Sequence, residues 1–162
     1  MTSLIDPKEF TDVVTELRSF FLSKNFLEVH TQNRLSILAA CEDPETVATY
    51  NYGGNIWPLP QTGQMWLEHE LLSNPKEEGF FCLSTSYRAE PNPVPGRHET
   101  IFPMFEFEMK GGVEELKEME IELCHWLGVD FSPEDIQTYD DWTNQFNTKE
   151  LDHDHEKKIG TG

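Results

Sequence analysis

The stretch whose reading decides the fold is Phe80-Phe81-Cys82-Leu83-Ser84-Thr85-Ser86-Tyr87-Arg88, followed after a loop by Phe102-Pro103-Met104-Phe105-Glu106-Phe107-Glu108-Met109. Side chains of a strand alternate between its two faces. One face of the first arm therefore carries Cys82, Ser84, Ser86 and Arg88, and the other carries Leu83, Thr85 and Tyr87. In the second arm Phe102, Met104, Glu106 and Glu108 share one face, and Phe105, Phe107 and Met109 share the other. Between the arms stand Pro91, Pro93, Pro95 and Gly96, which cannot continue a strand and which stiffen the loop. The arms are expected to pair as an antiparallel hairpin with one apolar, packing face and one charged face.

Elements on both sides flank this hairpin. Pro7 to Ser23 reads as an amphipathic helix, with Asp6 as N-cap, Pro7 at the first position and Glu9 in a capping-box-like place. Phe10, Val13, Val14, Leu17, Phe20 and Phe21 recur at helical spacing as a core stripe. Phe26 to His30 reads as a short strand, and Tyr50-Asn51-Tyr52-Gly53-Gly54 as a hairpin turn. Leu59-Pro60-Gln61-Thr62-Gly63-Gln64 leads into an apolar helix with Met65, Trp66, Leu67, Leu71 and Leu72. Its polar side chains read equally as ligand contacts or as a turn capped by Thr62. Downstream, Gly111 and Gly112 stop the strand, and Val113, Leu116, Met119, Leu123 and Leu127 mark a second amphipathic helix ending at Gly128. The tail holds a Ser132-Pro133-Glu134 helix start, a Tyr139 to Phe146 segment and Asp152-His153-Asp154-His155-Glu156. That last run reads as an exposed polar helix in preference to a metal site, because histidines two apart do not share a helix face. The expectation is an α+β chain, an antiparallel β-sheet flanked by helices, forming a single domain over residues 1–162.

Composition narrows the function classes. With 162 residues and 37% hydrophobic content the chain can bury a core. Against 12 Lys and Arg stand 30 Asp and Glu, so the formal charge is 12 − 30 = −18. A surface of this sign repels nucleic-acid phosphates and anionic lipid headgroups, which disfavours a large footprint on either. Cys41, Cys82 and Cys124 are scattered and form no CxxC pair, so no disulfide framework or zinc site is signalled. No apolar run approaches the roughly 18 residues of a membrane helix, and the N-terminus lacks a signal-peptide pattern. A cytoplasmic location is the default expectation, with no membrane partner.

The chemistry concentrates around the hairpin. Arg88 and Arg97 are half of the chain's four arginines, and both lie on or beside it. Arginine grips phosphate bidentately. Nearby carboxylates could accept hydrogen bonds from an amino group or hold a divalent ion, and Phe102 offers a flat surface for a base. Together they suggest a nucleotide plus an amine. The alternative is structural, with Arg88 pairing across the hairpin to Glu106 or Glu108.

Several stretches in order resemble one family. Tyr87-Arg88-Ala89-Glu90, the proline loop, Arg97-His98 and Phe102 at the start of the returning strand are similar to motif 2 of class II aminoacyl-tRNA synthetases, in the aspartate, asparagine and lysine subclass. Leu59 to Gln64 resembles the Gln-Ser-Pro-Gln segment of that subclass, and Asn25 to Gln32 its motif 1. The resemblance implies ATP-dependent activation of an amino acid as aminoacyl-adenylate. It implies Arg88 on the ATP α-phosphate as the catalytic contact, Glu90 at the adenine amino group, Phe102 stacked on adenine, and Arg97 with His98 at the β- and γ-phosphates. For the amino acid it implies Gln61, with Gln64 and Glu106 as weaker candidates. ATP and Mg2+ are the implied cofactors, the magnesium ligands expected outside this chain, and a homodimer is a possible assembly.

The chain departs from the family pattern in several places. Gln32 stands where motif 1 has a dimer-interface proline, and Ile101 where an acid precedes the stacking Phe. The Ser and paired glycines of the amino-acid loop are absent from Cys41 to Thr46. No Gly-x-Gly-x-x-Arg of motif 3 occurs before Gly160-Thr161-Gly162, so the core is expected to be C-terminally incomplete. No anticodon-binding domain is expected before the first helix, which with the charge of −18 leaves tRNA a doubtful partner. Beside the adenylating ligase stand two alternatives: a tRNA-independent amide ligase resembling asparagine synthetase, and a non-catalytic nucleotide- or partner-binding module.

Overall fold

The computed structural model describes residues 5–31, 39, 42–95, 98–129 and 137–159. The chain divides into two compact units, Met1–Glu114 and Glu115–Gly162. The first opens with helix α1, Pro7–Ser23, whose start is set as the sequence predicts: the Asp6 carboxylate accepts from the N–H groups of Lys8 and Glu9, and Pro7 begins the helix. Strand β1 follows at Leu27–Glu28, shorter than the five residues expected. Phe26 is buried, and its N–H donates back to Phe21 O at the end of α1 at 3.0 Å.

A two-stranded ribbon comes next, β2 (Thr49–Tyr52) against β3 (Asn55–Pro58), paired from Thr49 with Pro58 to Tyr52 with Asn55. Its two-residue turn needs positive φ at both positions, and Gly53 (+61°) and Gly54 (+80°) supply it. Helix α2 spans Gln64–Ser73. Strands β4 (Gly79–Tyr87) and β5 (Ile101–Met109) form the expected antiparallel hairpin, in register from Gly79 with Met109 to Tyr87 with Ile101. With β1 parallel to β4 the sheet order is β1-β4-β5.

The two faces of the hairpin do different work. Phe81, Phe105 and Phe107 meet Phe21 of α1, with ring centroids 5.7, 5.5 and 4.8 Å from it, and Phe21 is fully buried. Tilted and offset aromatic pairs of this kind add to the burial of apolar area. The helical stripe is narrower than its spacing suggests: Val14, Phe20 and Phe21 are buried, whereas Val13 is 54% exposed. The opposite face packs Phe80 and Cys82 against Leu67 of α2 at one end, and carries polar groups towards the other.

Helix α3 (Val113–Trp126), all but its first two residues in the second unit, stops at Gly128, whose φ of +77° lets Val129 N–H reach Cys124 O at 2.9 Å in a left-handed cap. Helix α4 (Tyr139–Phe146) starts on a capping box in which Thr138 and Asp141 bond reciprocally. Helix α5 (His153–Ile159) is the expected polar helix; His155 pairs with Asp152 at 2.8 Å and its ring lies 4.8 Å from Phe146. Gln32, Cys41, Arg97, the Ser132-Pro133-Glu134 helix start and the terminal Gly160-Thr161-Gly162 lie outside the described residues.

Candidate functional site

Beyond the last ladder pair, Tyr87 with Ile101, the hairpin stays together for one more bond, from Arg88 N–H to Thr100 O at 2.8 Å. The flanking amides are tied elsewhere. Tyr87 N–H donates to Pro60 O at 3.0 Å, and Ala89 N–H donates to Thr46 O at 2.8 Å. Three successive backbone groups are thus fixed from different segments. They project Arg88 and Glu90 into a pocket of about 450 Å3 lined by Arg88, Glu90, His98, Glu99 and Phe102.

Strand alternation accounts for the grouping. Ser86 pairs opposite Phe102, and Arg88 lies two residues on along the same face. Arg88 Nε donates to Ser86 Oγ at 3.2 Å. The cross-hairpin pairing of Arg88 with Glu106 or Glu108 does not occur, because those two carboxylates stand opposite Cys82 and Phe80, far down the ladder. His98 is held across its own loop, where Val94 N–H donates to His98 Nδ1 at 3.2 Å and His98 N–H donates to Val94 O at 2.9 Å. Glu99 was not singled out by the sequence; only its place beside His98 could have pointed to it.

At the other end of the same face the polar residues are used internally. Glu106 accepts from the Thr62 hydroxyl, from Gly63 N–H at 2.7 Å and from the Ser84 hydroxyl at 2.8 Å. The carboxylate therefore anchors the start of α2, where unpaired N–H groups favour negative charge. Thr62 Oγ1 also accepts from Gln64 N–H at 3.0 Å, but the N-cap position itself falls to Gly63, one residue later than the expected Thr62. Gly63 fits because it has no side chain: a Cβ there would lie 2.6 Å from Cys82 Sγ. Gln64 donates to Glu68 at 2.8 Å. Burial, then the charges of Glu68 and Glu106, raise the Glu108 carboxyl above the ordinary range, opposed by a hydrogen bond from Gln64. Burial first, then Glu106 and Glu28, push the Cys82 thiol up to about 12.

Gln61 is fully buried, and its amide spans a turn rather than facing a cavity. Its Oε1 accepts from Asp43 N–H at 3.0 Å, and its Nε2 donates to Asp43 O at 2.9 Å and to Thr46 Oγ1 at 3.1 Å. Its backbone N–H donates to Glu42 Oε1 at 2.8 Å. All three residues expected at the amino acid, Gln61, Gln64 and Glu106, thus have polar atoms engaged by the chain itself.

Comparison with known proteins agrees with this architecture. Over 70% of its length the chain matches asparaginyl-tRNA synthetase from Pyrococcus horikoshii complexed with asparaginyl-adenylate, with a TM-score of 0.62 and 23% identity. It has the fold of a class II synthetase segment. The Entamoeba histolytica asparaginyl-tRNA synthetase in complex with asparaginyl-adenylate matches over 73% of the chain, with a TM-score of 0.61 and 21% identity. In both cases the chain spans 25% of the other protein's length. No family model and no curated protein matches the chain. Among the described residues, no helix is long and apolar enough to cross a membrane.

Proposed function

We propose that the pocket at the open end of the hairpin binds the adenine nucleotide in ATP-dependent activation of an amino acid. The observation that carries this reading is convergence. Of the five residues that the motif resemblance assigns to ATP, the four within the described residues, Arg88, Glu90, His98 and Phe102, line one pocket. Phe102 offers its ring to adenine and Glu90 a carboxylate to the adenine amino group. Arg88 meets the α-phosphate, and His98 with Arg97 the β- and γ-phosphates. The amino-acid carboxylate attacks the α-phosphorus in line, the bond to the bridging oxygen breaks, and pyrophosphate leaves. Arg88 stabilises charge as it develops on the α-phosphate oxygens, and no protein nucleophile is needed.

Fold neighbours crystallised with asparaginyl-adenylate support an adenylate as the ligand class, and aspartate, asparagine and lysine as the first amino acids to try. Among the described residues no three Asp, Glu, His or Cys side chains are grouped to hold a metal ion, so no step is assigned to magnesium. With a charge of −18, a small acceptor is favoured over tRNA.

The internal engagement of Gln61 and Glu106 favours a second reading, a nucleotide-binding module without amino-acid activation. Titration with ATP, together with ATP–pyrophosphate exchange in the presence of each of the three amino acids, separates the two. Arg88→Ala should weaken ATP binding at least about tenfold, the order of a charge-assisted hydrogen bond. Binding without exchange selects the second reading. A wild-type chain that binds no ATP refutes both.

A further inference from the structure

We propose that Ser86 is a positioning residue that fixes the direction of the Arg88 guanidinium; its role towards phosphate rests on the nucleotide reading above. Ser86 is fully buried on β4, opposite the pocket-lining Phe102 in the ladder, and its hydroxyl accepts from Arg88 Nε at 3.2 Å. A buried hydroxyl has to be partnered, and here the partner is a charged group that lines the pocket. The backbone around it is equally constrained, since the amides of Tyr87, Arg88 and Ala89 donate to Pro60, Thr100 and Thr46.

The guanidinium carries five N–H donors in one plane. With Nε–H given to Ser86, the terminal Nη groups are left for the ligand, and the arginine is presented end-on rather than by its Nε edge. An end-on fork can meet two oxygens of one phosphate. The Ser86 bond also reduces the number of arrangements open to a long side chain before ligand arrives, so less freedom is lost on binding. Ser86 touches no ligand in this scheme. It acts through Arg88.

Two measurements on the full chain test this. The first needs no ligand: the Arg88 Nε–H resonance in 15N–1H spectra, assigned by its loss in Arg88→Lys. Ser86→Ala should shift that resonance and speed its exchange with water, whereas Ser86→Thr, which keeps the hydroxyl, should leave it near the wild-type position. The second is titration with ATP, AMP and adenosine, with a thermal melt of each variant to establish folding. Ser86→Ala should weaken ATP and AMP about tenfold, leave adenosine unchanged, and have no further effect in an Arg88→Ala background. An Arg88 Nε–H signal indifferent to Ser86→Ala overturns the proposal, as does equal weakening of adenosine. If the resonance responds but the wild type binds none of the three ligands, the hold of Ser86 on Arg88 stands and the nucleotide assignment falls.

Discussion

Gly63→Ala isolates the packing between the start of α2 and the sheet. Gly63 has φ −88° and ψ 0°, a right-handed conformation open to alanine, so the substitution brings no backbone strain. What it brings is a methyl group 2.6 Å from Cys82 Sγ, 3.1 Å from Glu106 Oε2 and 3.3 Å from Thr31 Cγ2. Favourable contact between such atoms lies at about 3.5–4.0 Å, so the sulfur or the helix start must move by roughly an ångström. Overpacking of this kind costs about 1–3 kcal/mol, and alanine is also a poorer N-cap than glycine by roughly half a kcal/mol or more. Urea unfolding followed by tryptophan fluorescence should therefore show a loss of about 2–3 kcal/mol at unchanged slope. The reasoning also fixes the partner. Cys82→Ala removes the sulfur, so the double variant should lose less than the sum of the two single losses, by about 1 kcal/mol or more. Rescue stays partial because Glu106 and Thr31 remain close. Additive losses, or a Gly63→Ala chain as stable as wild type, would refute the steric account.

Gln61→Ala strips three hydrogen bonds from the turn at Asp43 and Thr46 and leaves buried groups without partners, a loss of roughly 2–3 kcal/mol, read in the same unfolding assay. Wild-type stability in that variant would show that the buried amide is not what holds the turn. Cys82, with its thiol pushed up to about 12, should resist maleimide labelling at pH 8 in the folded chain and react once urea exposes it, with modification located by peptide mass. Glu108 gives the pH dependence. Its carboxyl is raised on folding, so the folded state takes up a proton more readily than the unfolded one, and the stability Glu108 contributes is present at acid pH. It is lost as pH climbs from the ordinary carboxylate range through the raised value. Glu108→Gln should accordingly melt higher than wild type at neutral pH and converge with it in acid; the reverse order would contradict the assignment.

Much of the hairpin was legible in the sequence because a period of two needs only local information. The alternation read from Cys82 to Tyr87 and from Phe102 to Met109 agrees with the observed ladder, in which residues read on one face stand opposite each other. The start of α1 followed from Asp6 and Pro7, whose chemistry is equally local. Misreadings arose where the partner lies far along the chain. Val13 has helical spacing like its neighbours, but helical spacing does not show how much of a stripe the rest of the fold covers. Gln61 and Glu106 show the same limit at the site. The resemblance implied them as amino-acid contacts, and their bonds within the chain to Asp43, Thr46, Thr62, Gly63 and Ser84 lie at separations no pattern announces. Ser86 could have been found, since alternation alone puts it beside Arg88; for Glu99, in a loop without periodicity, only its place beside His98 offered a signal.

The knot that Glu106 ties between Thr62, Gly63 and Ser84 bears on how such a chain can diverge. Residues at the open end of the hairpin, such as His98 and Glu99, are exposed and can drift one at a time with little effect on folding. The knot residues cannot, because each change strands the others. A lineage built on this scaffold can therefore explore new phosphate- or base-bearing ligands gradually, while any new chemistry at the α2 end requires coordinated replacement of several side chains at once.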